Sequence, residues 1–248
     1  MVAGELRERI LSGRIPDGGS LPKHEDLMEE FQVSGPSVRE AFRILETEGL
    51  ITVRRGNVGG AIVHGPQPAT AAYILGVVMQ ARDVGLHDVA VALQKIEPMC
   101  VAMCAARGDR KRTLVPRLKE INERTLAAVG DTEECLRLTR EFHREIVDHC
   151  GNETMILIVN SLETLWSAQL VDWAKGELHD GLPSRAARRA GIEDHEEIVR
   201  LIEEGDAEKA RHAAEVHLQR SQRNTVGSET RRVKAALIRP EQVEMLGL

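Results

Sequence analysis

Aromatic side chains are scarce in this 248-residue chain: Trp166, Trp173, Tyr73, Phe31, Phe42 and Phe142 are all it has. Rings spread so thinly cannot form the platform on which single-stranded nucleic acid stacks its bases. Cysteine is sparse as well. Cys100, Cys104, Cys135 and Cys150 include no Cys-x-x-Cys spacing and read as reduced thiols packed in a core. No apolar run approaches the roughly 20 residues that cross a bilayer, and the first residues, MVAGELRERI, are charged and amphipathic rather than a signal peptide. A cytoplasmic protein with no membrane partner is expected. Excess positive charge is missing too: the formal charge is −6 and the pI about 5.9, so any surface for nucleic acid has to be local.

What is present is helical periodicity with one interruption. Residues 2–13, 23–31 and 36–48 read as three helices. In the third, Val38, Ala41, Phe42 and Leu45 follow the i, i+3, i+4, i+7 spacing. Gly49 closes it, and ITVRRGNVGGAIV then reads as two strands, 51–54 and 61–63, around a glycine-rich turn. Three helices followed by a hairpin is the order of a winged helix-turn-helix. The stretch GPQPAT, residues 65–70, has two prolines and no apolar period and reads as a linker. From Ala71 to about Arg223 helical periodicity continues without a convincing strand, broken at Gly108, Gly130, Gly151, Gly181 and Gly205. The predicted fold is mainly α: a winged helix-turn-helix over 1–64, a linker over 65–70, an all-helical bundle of about seven helices over 71–224, and a tail over 225–248 with a short helix near 231–238.

The N-terminal module has 8 Lys and Arg against 10 Asp and Glu over residues 1–63, a net of −2, so placement must do what total charge does not. On the third helix Ser37, Arg39, Glu40 and Arg43 lie off the apolar side. Ser34 and Ser37 set hydroxyls beside the free amides of the helix start, a combination suited to a phosphate oxygen. Arg54, Arg55, Gly56 and Asn57 crowd the hairpin tip, where Gly56 lets the backbone approach a groove. Taken singly, Arg39 and Arg43 also fit a solvated face paired with Glu40 or Glu46, and Arg54-Arg55-Gly56 an ordinary turn. Their order after two helices points to double-stranded DNA.

Three of the nine histidines fall on apolar helix faces: His143 beside Phe142 and Ile146, His195 before Ile198, Val199 and Ile202, and His217 after Ala210, Ala213 and Ala214. One such histidine reads as a hydrogen-bonded core residue. Three on different helices can also converge on a first-row divalent metal, with water or an effector completing the shell. Trp166 and Trp173, two helical turns apart, fit core or dimer packing or the lining of an effector cavity.

Residues 5–63 resemble the GntR family of bacterial transcription regulators. The resemblance is carried by Leu21-Pro22 with Leu27, Val33-Ser34, Val38-Arg39-Glu40-Ala41, Leu45, Gly49-Leu50 and Arg55-Gly56. Residues 70–224 resemble the helical effector domain of the FadR subfamily, the FCD domain. The matching stretches are Ile96-Glu97-Pro98, Ala102 with Ala105-Ala106, Glu141-Phe142-His143 with Gly151-Asn152, Asp194-His195-Glu196-Glu197-Ile198, and Gly205-Asp206 with Ala210 and His217-Leu218. The resemblance implies a homodimeric repressor that reads a pseudo-palindromic operator and senses a small-molecule effector, with His143, His195 and His217 as ligands of zinc or nickel. It also marks departures. Gly35 and Glu25 stand where relatives carry arginines that read bases or hold phosphates, which shifts recognition to Arg39 and the wing. Thr139 replaces the family's anionic metal ligand at the edge of the effector pocket, and Leu93 stands near a family effector-binding arginine, which favours a more apolar acid such as an acyl group. Two rival expectations remain: a metal-dependent enzyme with Glu196 or Glu141 as base, and a sensor of the metal alone.

Overall fold

A computed structural model describes residues 2–54, 60–65, 68–176, 183–226 and 231–238. The chain divides into two compact units, Met1–Ala71 and Ala72–Leu248.

The first unit opens with α1 (Val2–Leu11), α2 (His24–Phe31) and α3 (Gly35–Thr47), followed by β1 (Ile51–Arg54) and β2 (Gly60–Val63). The strands pair antiparallel in the register Ile51↔Val63, Thr52↔Ile62, Val53↔Ala61 and Arg54↔Gly60. Helical spacing on α1 and α3 turns Leu6, Ile10, Val38, Ala41 and Leu45 inward, where they meet Leu21, Leu27, Ile51, Ala61 and Val63 in one core. The loop before α2 adds a rim to the hairpin that residue patterning does not reveal: Leu21 N–H donates to the Ala61 carbonyl at 2.9 Å and Val63 N–H to Gly19 at 2.8 Å. Outside the core, Arg7 on α1 holds Glu48, just past α3, through two bonds of 2.8 and 2.5 Å.

The second unit is a helical bundle: α4 (Pro68–Ala81), α5 (Leu86–Ala106), the single turn α6 (Arg110–Thr113), α7 (Val115–Ala127), α8 (Thr132–Asp148), α9 (Glu153–Gly176), α10 (Arg185–Glu204) and α11 (Ala207–Val226), closed by a 3-10 turn at Ala235–Ile238. α5 is central, packing on α11 most extensively and also on α8, α9 and α10. By length and composition α5 is apolar enough to cross a membrane. Its buried face, from Leu86 to Ala105 and including Glu97, identifies it as the bundle's core helix. Gly205 ends α10 at φ +83°, and a Cβ there would run into the Arg110 guanidinium, whose Nε donates 2.8 Å to the Ile202 carbonyl. Glycine thus serves the left-handed turn and the close approach together.

Two expected boundaries move. Helix α4 begins at Pro68, inside the stretch read as linker, because proline's missing N–H costs nothing in the first turn of a helix. The stretch read as tail is packed over residues 231–238. Leu86 N–H donates to the Arg231 carbonyl at 2.9 Å and Val233 N–H to Val84 at 3.1 Å, the Gln169 side chain donates to the Lys234 carbonyl at 3.0 Å and accepts the Lys234 N–H at 3.1 Å, and Val233 and Ile238 are buried. Such partners lie far away in sequence, which is why local periodicity misses them.

Candidate functional site

The DNA-reading candidates gather at the start of α3. Ser34 sits just before the helix in extended conformation and does not cap it with its side chain; its hydroxyl instead meets that of Ser37 at 3.1 Å. The Ser37 and Val38 amides bond the Ser34 carbonyl and Pro36 has none, so the Gly35 amide and the two exposed hydroxyls are what the helix start offers an anion. The acids on α3 divide unequally. Arg43 donates to Glu40 at 3.1 Å, and Glu46 accepts the Val53 amide at 3.1 Å, tying the helix to β1. Among the described residues Arg39 makes no hydrogen bond and no ion pair. Its Nη1 lies 3.4 Å from where a Cβ on Gly35 would stand, beside the His24 ring and the Met28 sulfur. The Arg39 guanidinium thus lies over the helix start, near enough that a Cβ at 35 would touch it. The Arg54 side chain and Arg55, Gly56 and Asn57 lie outside the described residues.

In the bundle, three helices bring imidazoles together. The apolar side of α8 buries Cys135, Leu138, Phe142 and Ile146 and carries His143 with it. On α10, His195 is buried between Ile192 and Ile198. On α11, Ala210 and Ala214 are small enough to let the helix approach α5, which sets His217 inside. The three ligand nitrogens all lie within 4.8 Å of one another. His195 Nε2 and His217 Nε2 are 3.2 Å apart, close to the spacing of about 3.3 Å that tetrahedral zinc imposes on imidazoles bound at 2.0–2.1 Å. Phe142 stacks on His195 with ring centres 3.9 Å apart and planes 5° from parallel, fixing that ring.

Behind two of the rings stand carboxylates. His143 Nδ1 meets Glu97 Oε1 at 2.5 Å, and His217 Nδ1 meets Asp194 Oδ2 at 3.3 Å. Each bond engages the outer nitrogen and leaves Nε2 for the centre, the arrangement by which carboxylates orient metal-binding histidines. Burial pulls the His195 pKa well below the ordinary value, helped by the neighbouring imidazoles, and burial also lowers His217 against the pull of Asp194. Both rings are thus held neutral, the form that binds a cation. For His143 burial works downward too, but Glu97, with Glu163 beyond it, outweighs burial and raises the pKa. Burial and Glu97 push the Glu163 carboxyl up to about 8.

Two family models match the chain. "Bacterial regulatory proteins, gntR family" covers residues 1–59, and "FCD domain" covers residues 88–220, more than half of the sequence. The chain is a gntR-family regulatory protein with an FCD domain. It is 26% identical over 214 residues to the Uxu operon regulator of Haemophilus influenzae, covering 86% of this chain and 76% of that one. It is 27% identical over 224 residues to the transcriptional repressor NanR of Salmonella typhimurium, covering 88% and 80%. A solved GntR structure from Streptococcus agalactiae superposes with a TM-score of 0.67 at 23% identity, covering 90% of this chain and 97% of that one; at that identity the likeness speaks for the fold.

Within this gntR-family regulator, the three histidines come together with their ligand nitrogens within 4.8 Å of one another. The Thr139 hydroxyl donates to the Cys135 carbonyl at 2.9 Å, one turn back on its own helix. Trp166 is buried in the core face of α9 with Leu162 and Leu165. The Trp173 side chain lies outside the described residues. The two acids nominated as enzymatic bases are placed elsewhere: Glu141 pairs with Arg124 at 3.0 Å and Arg137 at 2.9 Å, and Glu196 is exposed. The acids at the cluster are Glu97 and Asp194, which the residue patterns did not single out. One clue was available: Glu97 falls on the same face of α5 as Leu93, Cys100, Val101 and Cys104, and an acid in an apolar stripe calls for a partner.

Proposed function

We propose that this regulator is a metabolite-responsive repressor. As a homodimer it places two reading heads on the half-sites of a pseudo-palindromic operator, through Ser34, Ser37, Arg39 and Arg43 and the wing residues Arg54, Arg55, Gly56 and Asn57, with residues 65–70 as the joint between head and bundle. In the bundle, His143, His195 and His217 would hold a divalent metal, zinc or nickel, and an acidic effector bound in the bundle shifts the protein between arrangements of different operator affinity. Bound there, the metal supplies a fixed positive charge for the effector's anionic group. The observation that carries this reading is the convergence of three imidazoles from three helices, two of them backed by carboxylates. Repression is supported by the likeness to NanR and the cytoplasm by the family's role on DNA.

The test is metal analysis of the purified protein, followed by titration of an operator, selected from a random duplex library, with and without a chelator. The reading expects one metal per chain, lost in His195→Ala. A protein that takes up neither zinc nor nickel would remove the metal from the proposal. Binding that depends on the chelator yet responds to no acid would favour a sensor of the metal alone.

A further inference from the structure

Three imidazoles bring no negative charge to a dication, so the compensating charge must come from behind them. Two carboxylates are in position, and their surroundings differ. Asp194 is 24% exposed, lies 3.3 Å from His217 Nδ1, and already faces a cation: Arg220 Nη1 donates to its Oδ1 at 2.7 Å and to its Oδ2 at 2.9 Å. Glu97 is 2% exposed. Its Oε1 is 2.5 Å from His143 Nδ1, within the range of strong charge-assisted bonds. Its Oε2 is buried, and the Glu163 carboxyl, which burial and Glu97 push up to about 8, hydrogen-bonds the Glu97 side chain. No Lys or Arg forms an ion pair with it among the described residues.

The partner of this buried carboxylate is the His143 imidazole, and in so buried a place the field of the carboxylate is little screened by salt or water. Asp194 divides its charge between the His217 imidazole and the exposed Arg220 guanidinium, where solvent screens it. Resting on the metal reading above, we infer that Glu97 is the charge-compensating residue of the centre, acting through His143, and that Asp194 serves mainly to orient His217. His143 is then the most basic of the three ligands, because the carboxylate behind Nδ1 polarises the ring toward Nε2. The helix carrying Glu97 also packs on α8, α10 and α11, which bear the three histidines. Charge on the metal is thereby coupled to the central helix of the bundle and not to its rim.

The decisive comparison is between Glu97→Gln and Asp194→Asn in the full-length protein. Each amide keeps an oxygen that can accept the imidazole N–H while removing the charge, so positioning is preserved and charge is isolated. Zinc affinity is measured by competition with a chromophoric chelator. The visible spectrum of the cobalt(II)-loaded protein, recorded at saturation, reports whether the three-nitrogen set is intact. We expect Glu97→Gln to lose about 10- to 100-fold in zinc affinity, the scale of a removed outer-shell partner, with the cobalt spectrum at saturation retained. Asp194→Asn should lose less than about threefold. A Glu97→Gln protein within threefold of the starting affinity overturns the inference, as does an Asp194→Asn protein that falls as far. If Glu97→Gln does not fold, the Asp194→Asn measurement still decides, because a large loss there contradicts the assignment. An unaltered protein that binds neither zinc nor cobalt defeats the metal reading itself, an outcome distinct from either failure.

Discussion

The two units place function differently with respect to their cores. In the reading head, the residues that hold the fold together, Leu6, Leu27, Val38 and Leu45, are distinct from those that face outward from the start of α3. In the bundle the division disappears: His195, His217 and Glu97 are as buried as the leucines around them. A DNA surface can be rewritten without repacking anything, whereas a buried binding centre shares its residues with the core. Operator preference is therefore free to drift in the head, while changes in the bundle's site disturb stability as well.

The strongest way to sharpen this contrast is Phe142→Ala. Phe142 is fully buried and stacks on His195. Its removal is expected to cost about 3–5 kcal/mol of stability and to abolish tight zinc binding, both read by thermal unfolding with and without zinc. If the variant kept zinc affinity while losing stability, core and centre would be separable after all. Leu45→Ala in the head, at an equally buried site, is expected to cost about 2–5 kcal/mol and to abolish operator binding. Zinc stoichiometry should be unchanged, because residues 1–71 and 72–248 are separate compact units. Loss of zinc from Leu45→Ala would break the contrast from the other side.

Legibility in the sequence follows the same line. The helices of the head, its hairpin and its outward residues could be read locally, because amphipathic spacing marks the core face and whatever is polar and ordered on the other face is left for DNA. The three histidines were also legible, each conspicuous on an apolar stripe. Their carboxylate partners were not, since Glu97 and His143 are 46 residues apart in the chain and meet only because α5 packs on α8. The same holds for residues 231–238, whose backbone partners lie at Val84, Leu86 and Gln169. Thr139 entered through the resemblance, as the residue standing where relatives carry an anionic ligand; its hydroxyl donates to the Cys135 carbonyl of its own helix.

The finer contrast is within the head, between Arg39 and Arg43. Arg39→Ala is expected to weaken binding to the selected operator by about 1–3 kcal/mol, with stability unchanged within about 0.5 kcal/mol. Arg43 must first leave Glu40, an exposed pairing worth only about 0.2–1 kcal/mol, so Arg43→Ala is expected to have the smaller effect. Salt titrations then separate the roles. If Arg39 reads a base edge, its loss should narrow the gap between operator and random duplex with little change in the salt dependence. If Arg43 holds a phosphate, its loss should weaken both duplexes alike and reduce the logarithmic salt slope by about 1. Reversed slopes would exchange the two assignments.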